Sequence, residues 1–419
     1  MHTARIILIY IFATVVVIIC GGLIGWYFFL HTTQTKNVAV DAARGLESEQ
    51  ISFSGGSTQK NISSSMEAGS STAPRTQTSA LWQVDKTPVA GMGFIKNSST
   101  TPLAYIERAN GYVFMVDPAQ RTIVRHTDTL IPKIYEALVA SDGSIIERSL
   151  DESGAITTFL GIAHATTTPS LTAADSIESQ HALTGTYMTK DIQTIALNPT
   201  TKAMLYTTTN TSGGVDIFST EWGGAKPKKI FSSNIAHWTP HILQNGNMIL
   251  TENPADDILG YSYTLLGNGT LSPLIGDVLG LTVLPHPTLK ILLYGSSARG
   301  VLALFVKKQA SSTPITLSIQ TVADKCVWLP GNSLIAYCAV PTETPRGDFL
   351  NQWYRGAVHT SDTWWKIDVA NGTVVQIYSP KKSDGVDVDV EYPIIDPVGN
   401  FIFFTNASDK SLWMLKLPQ

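Results

Sequence analysis

The chain has 419 residues, a formal net charge of −4 at pH 7 and only 15% charged residues. Its longest basic block is the short segment 226–229, so we exclude a nucleic acid as a partner. About 340 residues follow the N-terminal region. This is long for one compact core and favours several small cores built from repeated units.

Residues 6–30 contain no charged side chain. As an α-helix this segment would be about 37 Å long, enough to cross a hydrocarbon core of about 30 Å. A cleaved signal peptide would have a shorter apolar region ending in small residues, whereas this one ends in Trp26-Tyr-Phe-Phe-Leu30. A lipoprotein signal at Cys20 is disfavoured because Ile19 precedes it. We therefore predict a cytoplasmic tail at 1–5 and an uncleaved transmembrane anchor at 6–30.

The orientation of this anchor rests on few charges. Arg5 and the amino terminus stand on one side, and Lys36 and Arg44 stand on the other, so the count is nearly tied. We place the large C-terminal part outside the cytoplasm, because a five-residue tail is easily left behind and the chain is rich in Ser and Thr. Residues 31–78 lack an apolar period and are predicted to form a flexible linker. The predicted location is the cell membrane, with a single pass.

A repeat occupies residues 79–419. Four segments carry a proline seven residues before an aromatic residue, and they are Leu197–Tyr206, Pro285–Tyr294, Trp328–Tyr337 and Ile395–Phe404. Each predicts a strand, a tight polar turn and a second strand. Three weaker copies lie at 96–105, 141–148 and 244–251. Most steps are about 43 residues, within the ~40–45 residues of a four-stranded propeller blade.

The repeat predicts an all-β fold, a seven-bladed β-propeller. The last blade has only three strands before the chain stops, whereas Ser79–Val84 is strand-like and precedes the first repeat. Pairing this N-terminal strand with the last blade would close the ring and remove exposed edges.

The repeat resembles the TolB-type, WD-like propeller repeat, whose blades carry a Trp-Ser-Pro-Asp-Gly-x-x-Ile-Ala-Tyr core. Trp328-Leu-Pro-Gly-Asn-Ser-Leu-Ile-Ala-Tyr337 is the most similar copy in this chain, followed by Ile395–Phe404. The resemblance implies the fold and no particular activity, because propellers of this kind bind proteins, act as enzymes or space domains.

Cys326 and Cys338 are placed symmetrically about Asn332 in the turn of one repeat. On antiparallel strands they would face each other at a distance that permits a disulfide. Two buried thiols are the alternative. An oxidised pair would support export from the cytoplasm.

Two steps of the repeat are longer than the others, by about 15 and about 24 residues, and such insertions map to loops, often on a binding face. The first insertion falls within Ala163–Asp191 and the second within Pro341–Asp362. The second is rich in the residue types favoured at interfaces. The predicted binding residues are Arg346, Trp353, Tyr354, Arg355 and Trp364. The alternative for Trp364 is a strand core position.

Asp387, Asp389 and Glu391 alternate with valines and would share one face of a strand. Oxygen ligands suit Ca²⁺, so these three residues form the candidate metal site. A solvated strand face is the alternative. We predict no other cofactor.

No catalytic motif is found in the sequence. The segment 295–300 is not a nucleophile elbow, and there is neither a zinc-protease helix nor a phosphate loop. The sequence therefore favours a protein-interaction or scaffold module of the cell envelope, with an unknown envelope protein as partner, over an enzyme. The alternative is a propeller enzyme of the lyase or hydrolase class, or a sugar- or metal-binding protein, that uses the central channel. Channel-lining His, Asp and Arg side chains within hydrogen-bond distance of one another would favour that alternative.

Overall fold

The structure is a computed structural model that describes residues 79–96, 101–163, 182–198, 201–222, 224–308 and 313–418. All of them belong to the unit Thr76–Gln419. The predicted tail, anchor and linker, and most of the first insertion, lie outside the described residues. Within the described ranges no helix is long and apolar enough to cross a membrane.

The described strands are, in chain order, β1 (Leu81–Asp85), β2 (Val89–Phe94), β3 (Leu103–Glu107), β4 (Val113–Asp117), β5 (Thr122–Arg125), β6 (Ile134–Val139), β7 (Ser144–Leu150), β8 (Ile156–Ala163), β9 (Leu183–Tyr187), β10 (Ile192–Leu197), β11 (Ala203–Thr209), β12 (Val215–Glu221), β13 (Lys228–Ser233), β14 (Trp238–Ile242), β15 (Met248–Glu252), β16 (Leu259–Leu265), β17 (Leu271–Leu279), β18 (Thr282–Pro285), β19 (Ile291–Ala298), β20 (Val301–Lys308), β21 (Ile315–Thr316), β22 (Cys326–Trp328), β23 (Ile335–Pro341), β24 (Asp362–Asp368), β25 (Thr373–Tyr378), β26 (Val390–Ile395), β27 (Phe401–Asn406) and β28 (Leu412–Lys416). Two short α-helices accompany them, α1 (Phe349–Tyr354) and α2 (Pro380–Asp384), together with a 3-10 helix at Ala323–Lys325.

These strands form seven antiparallel four-stranded sheets, which confirms the seven-bladed β-propeller. Blades 1 to 6 take four consecutive strands each, from β2–β5 through β22–β25. Blade 7 has the order β1-β28-β27-β26, so its outer strand comes from the N-terminal end of the described chain. Leu81 pairs with Leu415, and both are buried. The ring is therefore closed by hydrogen bonds between the two ends of the propeller.

The aromatic residue of the repeat fills the space between neighbouring blades. Tyr206 of β11 packs with Ile146 and Leu160 of blade 2, and its ring stacks on Phe218 with the centroids 5.1 Å apart. Tyr294 and Phe305 stack in the same way in blade 5, at 4.9 Å. The core is thus distributed over the blade interfaces, as a repeat architecture requires.

The turns of the repeat are stabilised by polar side chains. In blade 7 the Asp396 carboxylate accepts hydrogen bonds from the backbone N–H groups of Asn400 and Phe401, both at 2.6 Å. Gly399 in this turn has φ +84°, a conformation that L side chains rarely adopt. This local bonding explains why the proline-to-aromatic spacing recurs along the chain.

Blade 6 contains the two cysteines. Cys326 of β22 lies directly opposite Cys338 of β23 and is joined to it by a disulfide. The bond links the first two strands of a blade that also carries the second insertion between β23 and β24.

Candidate functional site

The second insertion, Pro341–Asp362 (the insert), connects β23 to β24 and contains α1. Phe349, Leu350 and Trp353 on this helix are buried against Leu302 of blade 5 and Val322. The insert therefore does not project from the propeller. It reaches sideways from blade 6 over blade 5 and adds a small apolar core to the fold.

The insert also reaches blade 4. The backbone N–H of Asn351 donates to the Asp256 carboxylate at 3.0 Å, and the backbone N–H of Asp256 donates to the Asn351 side chain at 3.2 Å. Ser297 of blade 5 donates a further hydrogen bond to Asp256. Because the contacts are reciprocal, α1 is fixed against two blades besides its own.

A buried lysine joins the insert to blades 6 and 7. The Lys325 ammonium is fully buried and lies 2.6 Å from Asp362 Oδ2 and 2.5 Å from Asp389 Oδ1. It also lies 4.9 Å from the centre of the Trp353 ring, whose Nε1–H donates to Asp389 at 3.0 Å. Thr360 completes these contacts: its hydroxyl oxygen accepts from the Lys325 ammonium at 2.7 Å and lies within hydrogen-bond distance of both carboxyl groups. We call these five residues the Lys325 cluster.

The pKa values of the two carboxyl groups of the Lys325 cluster are shifted in opposite directions. Burial raises the pKa of Asp362 above its usual range, and the attraction of Lys325 compensates only in part. Burial also acts to raise the pKa of Asp389. There, however, the Lys325 charge and the hydrogen bonds from Trp353 and Thr360 prevail and lower it. The insert is thus connected to blade 7 through Asp389, the carboxyl group whose ionised form is the more stabilised of the two.

A cavity of about 620 Å³ lies beside the insert. Its wall is formed by the first strands of blades 4 to 7 and by the end of α1. The polar and aromatic lining includes His241, Asp324, Tyr354, Glu391, Tyr392 and Lys410. Pockets that bind small molecules typically have volumes of about 300–1,000 Å³, so this cavity is large enough to hold a small ligand.

Tyr354 and Asp324 form the polar contact at the insert side of the cavity. The Tyr354 hydroxyl donates a hydrogen bond to the Asp324 carboxylate. Desolvation by the channel walls raises the pKa of Asp324, and the hydrogen bond from Tyr354 opposes that rise. Desolvation of the hydroxyl group inside the channel and the neighbouring Asp324 carboxylate raise the pKa of Tyr354 well above its ordinary value, although 44% of the surface of this residue is accessible to solvent.

Catalytic convergence in the channel is not observed among the described residues. Burial lowers the pKa of His241 to about 4, so this side chain is neutral at pH 7. No hydrogen bond joins His241 to an acidic or arginine side chain in the described part of the chain, and the cavity lining includes no arginine. The arrangement that would favour a propeller enzyme is therefore missing from these residues.

The predicted binding residues are divided by the structure. Trp364 is fully buried and contacts Phe404 with the ring centroids 5.4 Å apart, so it is a core residue and not a contact residue. Trp353 is also buried and belongs to the small apolar core between α1 and the propeller. Arg346, Tyr354 and Arg355 are exposed. Binding by the predicted residues stays a prediction, and the burial of the two tryptophans opposes a contact role for them.

The three candidate calcium ligands contact three different lysines. Asp387 pairs with Lys381 at 3.2 Å, Asp389 with Lys325, and Glu391 with Lys410 at 2.5 Å. Strand β26 begins only at Val390, so the alternation expected from the sequence does not place the three on one strand face. Within the described residues no group of three His, Cys, Asp or Glu side chains could hold a metal ion. Calcium binding stays a prediction, and these contacts oppose it.

Several residues of the site are absent from the sequence predictions. Lys325 and Asp324 precede β22, where a charged residue reads as an exposed turn position. Tyr392 lies in an apolar strand and reads as core. No local signal distinguishes Lys325, because its partners Asp362 and Asp389 are distant along the chain.

Comparisons with known proteins yield the fold only. No protein-family model and no curated protein matches the chain. Among solved structures, the uncharacterised protein lmo1340 from Listeria monocytogenes has a TM-score of 0.49 and 12% identity, over 79% of this chain and 94% of that one. The Pan2 WD40 domain of Neurospora crassa has a TM-score of 0.47 and 9% identity, over 80% and 90% of the two chains. An oligogalacturonate lyase in complex with manganese has a TM-score of 0.46 and 9% identity, over 79% and 97%.

Proposed function

We propose that the protein is an interaction or scaffold module of the cell envelope, anchored in the membrane by residues 6–30. The observation that carries the proposal is the way the insert is held. The helix of the insert is fixed to blades 4, 5 and 7 by Asn351, Leu350 and Trp353. Three other residues of the insert are exposed, and they are Arg346, Tyr354 and Arg355.

A loop fixed in this way is suited to binding. Ordering a loop costs free energy at the moment of association, and a loop that is already ordered avoids that cost. Arginine and tyrosine are the residue types most often responsible for the affinity of an interface. Neither Arg346 nor Arg355 forms an ion pair with another described residue, so both guanidinium groups remain free to contact acidic groups of a partner protein.

The envelope location has two supports. Residues 6–30 have the length and the lack of charge expected of a membrane anchor. The Cys326–Cys338 disulfide is typical of proteins that reside in an oxidising compartment outside the cytoplasm.

Capture of the partner tests this function. The tagged full-length protein is crosslinked in envelope membranes, and the species bound to it are compared with those bound to an Arg346→Ala/Arg355→Ala variant. The double variant should lose the specific partner, because the exposed guanidinium groups contact it. The control is Lys228→Ala/Lys382→Ala, which removes the same charge from exposed positions outside the insert.

The control variant should capture the partner as the wild type does, and all three proteins should unfold at the same temperature. Equal capture by the wild type and by the arginine variant would contradict the proposed function of the insert.

A further inference from the structure

Tyr392 has an unusual backbone conformation. Its φ is +50°, in the left-handed region that bulky residues rarely occupy. The register of β26 against β27 shifts between Glu391 and Ile394, which marks a β-bulge at this position. Bulges of this kind often reorient a side chain next to a functional site, and strained residues persist only where the surrounding structure imposes them.

The Tyr392 side chain at this bulge lines the cavity and is not covered by other residues. The residue is 71% exposed, although the first strand of a propeller blade lies in the middle of the molecule. Tyr354, which is 44% exposed, lines the same cavity from the insert. Two aromatic rings are thus open to the cavity, one on blade 7 and one on α1.

The cavity wall carries more acidic than basic side chains. Its lining includes the three acidic residues Glu252, Asp324 and Glu391 and one lysine, Lys410. Lys410 is already held by Glu391 at 2.5 Å. Asp324 accepts a hydrogen bond from Tyr354 and forms no ion pair with any described residue. The wall therefore has an acidic group without a counter-ion.

We propose that this cavity binds a small organic ammonium cation, with its charge beside Asp324 and its alkyl groups against the rings of Tyr392 and Tyr354. A cation over an aromatic face is attracted by the quadrupole of the ring, and more strongly when both are shielded from water. An anion would be repelled by the wall, and a neutral polyol would leave Asp324 uncompensated. The site shares Tyr354 with the exposed residues of the insert but uses neither Arg346 nor Arg355, and it goes beyond the proposed function.

Calorimetric titration of the full-length protein in a polyoxyethylene detergent tests the site. The probes are choline and spermidine, and the matched control is 3,3-dimethylbutan-1-ol, the uncharged carbon analogue of choline. We expect the cations to bind and the uncharged analogue to bind at least about tenfold more weakly, because it lacks the charge that Asp324 and the rings recognise.

Variants assign the binding to the proposed residues. Tyr392→Leu and Asp324→Asn should each weaken choline binding about tenfold, whereas Tyr392→Phe keeps the ring and should retain the affinity. Tyr187→Leu is the control, since Tyr187 is 66% exposed on an outer strand away from the cavity. Thermal unfolding of every variant shows that it is folded.

Three results would overturn the proposal. The first is that neither cation binds the folded wild type, and the second is that the uncharged analogue binds as tightly as choline. The third is that Tyr392→Leu and Asp324→Asn, both folded, bind choline as the wild type does.

Discussion

At the scale of single residues, Lys325 determines how the insert is attached. Its ammonium group contacts two buried carboxyl groups that come from different blades, and it lies against the Trp353 ring. Such a group contributes little net stability compared with apolar residues of the same shape, but removing one partner leaves a buried charge uncompensated. The ion pairs of Lys325 therefore determine where the insert sits on the propeller more than they increase the free energy of unfolding.

The first prediction concerns this charge balance. Lys325→Met should destabilise the protein by about 3–5 kcal/mol, because Asp362 and Asp389 lose their counter-ion inside the protein. Denaturant unfolding measures the change. The triple variant Lys325→Met/Asp362→Asn/Asp389→Asn should recover most of the loss. The exposed pair of Lys190 and Asp151 serves as the comparison, and Lys190→Met should leave the midpoint of unfolding unchanged.

Glu147 is also a buried titratable residue, but among the described residues its carboxyl group has no hydrogen-bond partner. It is 1% exposed, lies opposite Phe159 and Ala137 in blade 2, and neither carboxyl oxygen has a hydrogen-bond partner among the described residues. Burial raises the pKa of Glu147 from 4.5 to about 8. The folded protein therefore holds this carboxyl protonated at neutral pH.

The second prediction is that the protonation of Glu147 makes the stability of the protein depend on pH. Between pH 4.5 and about pH 8 the folded state binds a proton that the unfolded state has released. The contribution of Glu147 to stability is therefore greatest below pH 4.5, falls as the pH rises, and is level above about pH 8. Glu147→Gln should remove this slope from the pH dependence of the free energy of unfolding.

The control for this prediction is Glu152→Gln, at an exposed turn position of the same blade. It should leave the slope as it is in the wild type. If the Glu147→Gln variant kept the full slope over this pH range, the assignment of the buried proton to Glu147 would be wrong.

At the scale of elements, the insert is part of the fold. The sequence places it outside the blades, because it interrupts a regular repeat, and a short turn might be thought to replace it without cost. Instead the three apolar residues of α1 are buried between blades 5 and 6. The same element therefore has a structural inner side and a free outer side.

The third prediction tests the inner side. Trp353→Ala should cost about 3–5 kcal/mol of stability, since it leaves a large cavity in the small core under α1. Trp353→Phe keeps a ring but removes the hydrogen bond to Asp389, and should cost less, about 1–3 kcal/mol. Thermal unfolding gives the order. Equal melting temperatures of the wild type and Trp353→Ala would show that the insert is not part of the core.

At the scale of the whole molecule, closure of the ring depends on residues from opposite ends of the propeller. β1 is the outer strand of blade 7, and its Leu81 and Val84 are each 6% exposed. Without β1, strand β28 would be an exposed edge, and the contact between the first and last blades would lose a strand.

The fourth prediction tests closure by truncation. A chain that begins at Thr87 lacks β1 and should unfold at a markedly lower temperature than a chain that begins at Thr76. Deletion of residues 31–75 serves as the control and should leave the melting temperature unchanged, because the sequence of this segment predicts a flexible linker. Equal melting temperatures of the two truncated chains would contradict the closing role of β1.

The sequence by itself determined the features that are local. The turn of the blade 7 repeat is stabilised by Asp396, which bonds to residues next to it, and the facing of Cys326 and Cys338 follows from one hairpin. Blade number and fold class follow from counting such units. The missing strand of the last blade likewise indicated that the N-terminal segment closes the ring.

The tertiary structure decided what depends on distant residues. The burial of Trp353 required blade 5 beneath α1, and the contacts of Lys325 required carboxylates 37 and 64 positions away along the chain. The exposure of Tyr392 depended on a bulge in β26 that leaves its side chain in the cavity, which requires the neighbouring blades as walls. These features arise where several blades meet, and the physical reason is that burial and charge pairing depend on neighbours in space, which a one-dimensional pattern does not contain.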